Sequence, residues 1–302
     1  MQIAFDLIVR EKHPLAHGGS TRAAQPFKRQ LLKWVGNKQR FAHQIVGFFP
    51  DRFKTYYEPF VGSGAVVATL APRRAEASDA FGPLIQIWRQ LRQNPAILAR
   101  WYEERWVRAH LGDPRAGYED IKSDYNREPN GADLLYLCRS CYGGVVRFRQ
   151  KDGYMSTPCG PHRAMHPNDF TQRVEEWSAR LTGTEFFHRD YREAIDRVRD
   201  GDVVYCDPPY THSQAILYGA QAFNLDDLFR SIELAKRRGA FIALSIDGSK
   251  KSGENELHID WPRTVFTREV RVNVGRSMLR RLQMDGQTLE AEHVTDRLLL
   301  SH

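Results

Sequence analysis

The sequence predicts an α/β protein built on an open, Rossmann-like, mostly parallel sheet that is interrupted by a mainly helical insertion. Two observations indicate the sheet. A strand, a glycine-bearing turn, a helix and a second strand follow one another over residues 56–79. The same alternation of strands and helices resumes near residue 185 and continues through residues 202–206 and 240–245. Residues 81–183 lack this alternation, and they therefore predict a second domain inserted into the first.

The first half of the sheet has the features of a nucleotide-binding unit. Residues 56–60 are predicted as a strand, residues 61–64 as the turn, and residues 65–70 as the start of a helix. Two glycines in the turn let a ligand approach the backbone closely. Asp79 ends the next strand, where an acid can accept hydrogen bonds from both hydroxyls of a ribose. The third glycine that a pyrophosphate would need is missing, so a nucleoside cofactor without phosphates fits better.

The insertion is predicted to be helical at first and then to form a β-hairpin-like arm. Large apolar residues recur at helical spacing over residues 84–106. Residues 142–160 are rich in glycine and arginine, with a turn at Asp152-Gly153. Alternation along a strand would place Arg147 and Arg149 on one face. These patterns divide the chain into an N-terminal extension (1–26), a sheet-forming domain (27–80 and 184–302) and an inserted domain (81–183).

Composition narrows the class of protein. A net charge of +7 makes a polyanionic partner plausible, and residues 27–40 carry five basic side chains without an acid. A second basic stretch covers residues 263–281; both stretches could equally be solvated surface. We find no apolar run of the ~20 residues that cross a bilayer and no secretion signal, so we expect a cytoplasmic protein. The single pair Cys138 and Cys141 predicts buried thiols and no metal site.

The tetrapeptide DPPY (residues 207–210) directly follows the apolar strand at residues 203–206. Open α/β sheets bind ligands at the carboxyl ends of their strands, and two prolines stiffen the turn. The lone pair of an exocyclic amine on a nucleobase is delocalised into the ring. Two acceptors, the Asp207 carboxylate and the Pro208 carbonyl, would hold its hydrogens and expose that lone pair. Tyr210 could stack on a base extracted from a duplex, although a proline-rich turn with a capping Asp is the simpler interpretation of the motif alone.

Three motifs in this order resemble the DNA adenine-N6 methyltransferases of the alpha arrangement. They are LKWVGNK (32–38), EPFVGSG (58–64) and, after the insertion, DPPY. The resemblance covers residue 27 to the C-terminus. It implies a site-specific enzyme that transfers a methyl group from S-adenosylmethionine to the N6 amine of an adenine flipped out of double-stranded DNA. The insertion would then be the target-recognition domain, and the sheet-forming domain would bind the cofactor and catalyse the transfer. No obligate protein partner is evident.

The resemblance and the patterns above assign candidate site residues. The expected cofactor-binding residues are Trp34, Lys38, Phe60, Gly62, Asp79, Asp190 and Asp207. The expected catalytic residues are Asp207, Pro208 and Tyr210. The expected DNA-binding residues, on the arm, are Arg147, Arg149 and Lys151. An arginine there could make a bidentate contact to guanine in the major groove, or it could touch phosphates only.

The sequence departs from the family in two places. Gly36-Asn37 stands where the family usually has two glycines, and Asn tolerates the left-handed backbone that such a turn needs. The arm reads RFR (147–149) and STPCG (156–160), where the family typically has Arg-x-Asn and Asn-Val-Pro-Phe-Gly. The base-reading residues of the family therefore cannot be carried over.

Several alternatives stay open. N4-cytosine methylation uses the same amine chemistry but commonly has Ser in place of Asp207. Enzymes that methylate RNA bases or a protein amide share Pro-Pro-Tyr or Pro-Pro-Phe loops but usually lack both LKWVGNK and the long insertion. C5-cytosine methylation would need a nucleophilic Cys, and Pro158-Cys159 lies in the arm instead of at a strand end. A non-catalytic DNA-binding protein that retains the fold is the alternative from another class. The recognition sequence, a paired restriction nuclease and the role of residues 1–26 are not predicted.

Overall fold

The computed structural model describes residues 24–149, 151–209, 223–247, 261–275 and 294–302. Its centre is one seven-stranded sheet with the order β3-β2-β1-β4-β5-β7-β6. The strands are β1 (Tyr56–Glu58), β2 (Ala75–Asp79), β3 (Thr184–His188), β4 (Val203–Cys206), β5 (Phe241–Asp247), β6 (Arg268–Gly275) and β7 (Val294–Leu300). Strands β1 to β5 are parallel, and β7 runs antiparallel to both of its neighbours. The predicted open, mostly parallel sheet is therefore confirmed.

Helices cover both faces of this sheet. They are α1 (Ala42–Val46), α2 (Ala65–Leu70), α3 (Gly82–Gln93), α4 (Pro95–His110), α5 (Pro114–Arg127), α6 (Gly131–Ser140), α7 (Pro167–Arg180), α8 (Tyr191–Asp196) and α9 (Leu225–Arg237). Consecutive residues of β1 point to opposite faces: Tyr56 packs into the core with α1 to α7, and Tyr57 packs with α8 and α9. Within the described ranges, every helix is too short or too polar to cross a bilayer.

The single helix predicted over residues 84–106 is wrong, because α3 ends at Gln93 and α4 begins at Pro95. Proline disfavours helical backbone in the residue before it, and Asn94 accordingly has φ −152° and ψ 89°. The Asn94 side chain then caps α4 by accepting a hydrogen bond from the Ile97 amide at 3.2 Å. The Asn-Pro pair was the signal for this break.

The five helices α3 to α7 separate β2 from β3 in the chain, and among the described residues between these strands none joins the sheet. Trp88 of α3 stacks on Trp177 of α7 at 5.4 Å and on Phe186 of β3 at 5.7 Å between ring centroids. One hydrophobic cluster runs without interruption from the sheet into these helices. The boundaries near residues 81 and 183 stay a prediction, and most of the N-terminal extension, residues 1–23, lies outside the described residues.

The arm predicted within residues 142–160 is an antiparallel hairpin. The amide of Arg149 donates to the Tyr154 carbonyl at 2.9 Å, and the amide of Ser156 donates to the Arg147 carbonyl at 3.0 Å. Gly153 occupies the turn with φ +67°, a backbone angle that favours glycine. Only short bridges are formed, so the arm adds no strand to the main sheet.

Candidate active site

A cleft opens where the strand order reverses, between β1 and β4. In open α/β sheets this point separates loops that leave in opposite directions, and ligands bind in the crevice between them. Four neighbouring strands, β3, β2, β1 and β4, each end in an acidic residue or are followed by one within two residues. These acids all line one cavity of about 200 Å³, and they are Asp190, Asp79, Glu58 and Asp207. Trp34, Phe60, Phe81, Tyr191, Tyr205 and Phe223 provide its aromatic walls.

Asp79 fastens the glycine turn to the loop after β2. Its two carboxylate oxygens accept hydrogen bonds from the amides of Gly62, at 3.1 Å, and Phe81, at 3.0 Å. Burial raises the pKa of Asp79 to about 6, although these amide bonds act in the opposite direction. Each carboxylate oxygen has more than one lone pair, so the group can still accept hydrogen bonds from a ligand.

The glycine turn has backbone angles that favour glycine, and at Gly64 it also lacks room for a side chain. Gly62 and Gly64 have φ of +44° and +65°. The Gly62 carbonyl accepts a hydrogen bond from the Trp88 indole at 3.1 Å. A Cβ on Gly64 would lie only 3.0 Å from the Trp88 ring. The turn is therefore packed against α3 with its backbone facing the cleft.

Asp207 is held by Lys38 on the floor of the cleft. The Lys38 ammonium lies 2.9 Å from Asp207 Oδ1, and the two side chains are 5% and 17% exposed. Lys38 also donates to the carbonyl of Gly36 at 3.3 Å. The DPP turn after β4 and the LKWVGNK segment are thus joined by a largely buried ion pair. Pro208 is buried beside Asp207, and Tyr210 lies outside the described residues.

The sequence analysis did not single out Glu58. Its carboxyl group is almost fully buried and accepts a hydrogen bond from the Tyr56 hydroxyl at 2.7 Å. Burial raises the pKa of Glu58 to about 8, with the nearby Asp207 adding to the effect. Glu58 therefore carries a proton at neutral pH. An acid at the end of a strand was the same signal that identified Asp79.

One wall of the cleft is aromatic and is closed by the start of α8. The Phe60 ring stacks on Tyr191 at 5.3 Å and meets Phe223 edge-on at 5.9 Å. Asp190 caps α8 by accepting from the Arg192 amide at 2.8 Å, and it pairs with the Arg192 guanidinium at 3.3 Å. Neither Tyr191 nor Phe223 was singled out from the sequence.

All seven residues expected to bind a cofactor line this one cavity. Trp34, which is 5% exposed, lies beside Phe81 with 6.1 Å between ring centroids. Trp34 is also close to the glycine turn, because a Cβ on Gly62 would lie 3.5 Å from its ring. The motifs at residues 32–38 and 58–64 therefore meet in space as their joint resemblance implied, and their role toward a ligand stays a prediction.

The three arm residues expected to bind DNA do not line the cleft. Arg147, Arg149 and Lys151 are all exposed on the hairpin. Arg149 is engaged, since its guanidinium lies 2.8 Å from the Asp152 carboxylate and 4.1 Å from the centre of the Tyr154 ring.

The CxxC pair is buried, as the sequence predicted. Burial raises the pKa of both Cys138 and Cys141 to about 12, so both are thiols at neutral pH. Among the residues that the structure describes, no cluster of three potential ligands is placed to hold a metal ion.

Comparison with known proteins shows which family the chain belongs to. The family model of the D12 class N6 adenine-specific DNA methyltransferases matches residues 34–264. The type II methyltransferase M1.LlaDCHI of Lactococcus lactis is 28% identical over 240 residues, which cover 75% of this chain and 84% of the relative. The DNA adenine methylase of Vibrio cholerae is 26% identical over 234 residues, covering 72% and 81%. The DNA N-6-adenine-methyltransferase of Escherichia phage P1 is 26% identical over 240 residues, covering 76% of this chain and 31% of that longer protein.

Proposed function

Because the chain belongs to the D12 class of N6 adenine-specific DNA methyltransferases, we propose that its methyl donor is S-adenosylmethionine and that the cleft holds both this cofactor and the target adenine. One observation carries the proposal. The buried Lys38–Asp207 pair, the glycine turn and Asp79 all face the same cavity. The adenine would be flipped out of double-stranded DNA to reach it, since its N6 amine is inaccessible within a duplex.

The charges in the cleft suit this cofactor. Among the described residues its lining includes four acids and one lysine, Lys38, and the raised pKa of Glu58, about 8, favours its protonated form near neutral pH. Such a site disfavours phosphates and attracts positive charge. S-adenosylmethionine has a sulfonium and an ammonium group, one carboxylate and no phosphate. Asp79 would hold its ribose, Trp34 and Lys38 its methionine end, Phe60 and Gly62 its backbone, and Asp190 its adenine.

Asp207 and the DPP turn are the groups that we assign to the chemistry. When bound, the cofactor supplies an electrophilic methyl group. The Asp207 carboxylate would accept a hydrogen bond from the adenine N6 amine, and the Pro208 carbonyl would accept the second. Both bonds favour the pyramidal amine and expose its lone pair for methyl transfer. In that transfer the N6–C bond would form as the S–C bond of the donor breaks, a neutral thioether would leave, and one N6 proton would be released. Lys38 fixes the direction of the Asp207 carboxylate, so the acceptor is in position before the base arrives.

We assign DNA binding to the arm. Arg147 presents an exposed guanidinium, while its backbone is held by the Thr157 hydroxyl at 2.9 Å from the Arg147 amide. Arg149 would have to exchange Asp152 for DNA, which reduces its net gain. Arg147 is therefore the better candidate for base contacts, and Arg149 and Lys151 for phosphates.

A labelling experiment tests the activity. The protein is mixed with tritium-labelled S-adenosylmethionine and genomic DNA that lacks adenine methylation, and labelled nucleosides are separated after digestion. We expect label on N6-methyladenine. Label on N4-methylcytosine would replace the adenine assignment for this chain. Binding of DNA without label on any base would favour the non-catalytic alternative.

A further inference from the structure

We propose that a second cavity, beside the base of the arm, binds one phosphate of the DNA backbone. It holds about 230 Å³ and is lined by the segment before Trp34, the end of α6, and residues just after the arm. Its charged and titratable lining residues are Lys33, Arg139, Cys141, His162 and Arg163, and no described lining residue is acidic. The inference rests on the proposed function, because it assumes that DNA is the substrate.

Arg139 is the strongest indication of an anion. The residue is 5% exposed, and its guanidinium donates to the carbonyls of Leu31, at 2.6 Å, and Gln30, at 3.2 Å. Among the described residues no ion pair is found for it; its second terminal nitrogen donates to the Met165 sulfur at 3.2 Å, and its buried Nε has no hydrogen-bond partner there. A buried charge without a counter-charge is unfavourable, so an anion in this cavity would remove a liability of the free protein.

Two further cations converge on Arg139. The Lys33 side chain is exposed, and among the described residues no hydrogen bond or ion pair is found for its ammonium. Partial desolvation together with the charge of Arg139 lowers the pKa of Lys33. Arg173 donates to the Gln30 carbonyl that Arg139 also uses, at 2.9 Å, and burial and Arg139 lower its pKa as well. Arg173 lies behind the cavity and not in its lining, and the acids that act on it, Glu176 and Asp169, are outside the lining as well. Like charges held together in this way create a field that favours a bound anion.

The walls of the cavity are set by close backbone approaches. A Cβ on Gly144 would lie 2.8 Å from the Lys33 side chain, and one on Gly160 would lie 3.0 Å from the Ser140 carbonyl. Gly144 also has φ +66°. The segment of Lys33, the end of α6 and the two ends of the arm are therefore packed closely around the cavity.

The position of the cavity favours DNA as the source of the phosphate. Lys33 precedes Trp34, which lines the cleft, and Gly160 closes the hairpin that carries Arg147. A duplex that contacts the arm and delivers a base to the cleft must cross the protein surface between the arm and the cleft. A phosphodiester anchored there would fix its register without reading sequence.

The test uses charge-removing variants of two exposed lining residues, Lys33→Gln and Arg163→Gln, in the full-length protein. Lys54→Gln is the control for loss of a surface charge, since Lys54 is also exposed, pairs with Asp200 at 3.1 Å and lies just before β1, at the end of the strand opposite the cleft. Arg139 stays unchanged because it holds the carbonyls of Gln30 and Leu31. Duplex binding is measured by fluorescence anisotropy over a salt series. We expect each of the two variants to reduce the slope of log K against log salt by about one unit, and the control to leave it unchanged.

A second measurement identifies the phosphate. Duplexes with one neutral methylphosphonate linkage, moved step by step, are bound to wild type and to Lys33→Gln. We expect one position at which the neutral linkage weakens wild type but not the variant. Salt slopes of both variants equal to that of Lys54→Gln would overturn the proposal. Inorganic phosphate that raises the melting temperature of wild type but not of Lys33→Gln, without any change in the DNA slopes, would assign the cavity to free phosphate and overturn it too.

The failure of this inference and that of the proposed function are distinguishable. Wild type that methylates adenine while the variants keep its salt slope refutes only the phosphate site. Wild type that puts no label on DNA refutes the activity, whatever the slopes are.

Discussion

The cleft and the cavity beside the arm are neighbours with opposite charge. Of the described residues, four acids and one lysine line the cleft, whereas the arm cavity is lined by lysine and arginine and by no acid. Both are bordered by the same short segment, which gives Lys33 to one and Trp34 and Lys38 to the other. Under the proposed function, this difference would let one chain separate two ligands. A cationic nucleoside would be favoured in the cleft, and a polyanion would be favoured outside it.

We expect the largest effect on methyl transfer from a substitution of Asp207, which tests whether the cleft alone carries the chemistry. Asp207→Ala should lower the rate of methyl transfer by about 10² to 10³-fold or more, because the amine loses a placed acceptor. DNA affinity should change little, since Asp207 lies in the cleft and not on the arm. Single-turnover transfer and DNA binding are measured side by side. Asp207→Asn, which keeps the shape, separates charge from packing, and near wild-type rates in both variants would exclude the mechanism.

Asp79 tests whether the cleft acts on the cofactor alone. Asp79→Ala should raise the dissociation constant for S-adenosylmethionine roughly tenfold or more, the equivalent of a lost charge-assisted hydrogen bond of about 1.5–3 kcal/mol. The dissociation constant for DNA should stay close to wild type. Isothermal calorimetry measures both. Because Asp79 also holds the amides of Gly62 and Phe81, the melting temperature is recorded as a control. An intact fold with unchanged cofactor affinity would remove Asp79 from the site.

Arg147 provides the reverse test, on the arm. Arg147→Ala should relax preference at one position of the methylated sequence, where a bidentate contact to guanine is worth about 1–3 kcal/mol of discrimination. Arg149→Ala is the matched control, because Arg149 is already paired with Asp152. Single-molecule sequencing of DNA methylated by each variant gives the preferences. A uniform loss across all sequences with Arg147→Ala would place base recognition elsewhere.

Glu58 sharpens the comparison through pH. Its pKa of about 8 in the folded protein lies above the ordinary value of 4.5, so the folded state binds the proton more tightly than the unfolded state. This contribution to stability is present in full below pH 4.5 and is lost as pH rises towards 8. The loss amounts to at most about 1.4 kcal/mol per pH unit. Glu58→Gln cannot titrate, so its free energy of unfolding relative to wild type should improve between pH 6 and pH 8. Urea unfolding at both pH values checks this, and a constant difference would show that Glu58 is ionised in the folded protein.

The parts of the site that could be predicted from sequence are those with a local signal. Asp79 ends the short strand β2 and Asp207 directly follows the apolar strand β4, and parallel strands bring their carboxyl ends to one edge. The Lys38–Asp207 contact has no local signal, because the two residues lie far apart in the chain and meet only when the LKWVGNK segment packs below β4. The aromatic wall of Phe60, Tyr191 and Phe223 also depends on three separate elements.

The basic cavity was beyond sequence analysis for a different reason. Arg139 lies in α6, a helix that is buried along its whole length, and a charged residue there is indistinguishable by pattern from one at a solvated helix end. The role of Arg139 is visible only in the structure, where it donates to the carbonyls of Gln30 and Leu31. These two residues belong to a segment distant in the sequence. The break between α3 and α4 was predictable, since Asn-Pro is a local signal for a helix boundary.

Residues 30–38 lie between the proposed phosphate site and the proposed cofactor site, and this position predicts a coupling between the two binding events. A phosphate bound at Lys33 and a cofactor bound at Trp34 would both restrict the same stretch of backbone. The second ligand to arrive then finds part of the ordering already done, so we expect the two to bind cooperatively. Linkage requires the factor by which cofactor raises DNA affinity to equal the factor by which DNA raises cofactor affinity. Neutralising Lys33 should reduce both fold-changes in affinity to the same extent, towards a value of one. The coupling between DNA and cofactor through this segment can therefore be measured.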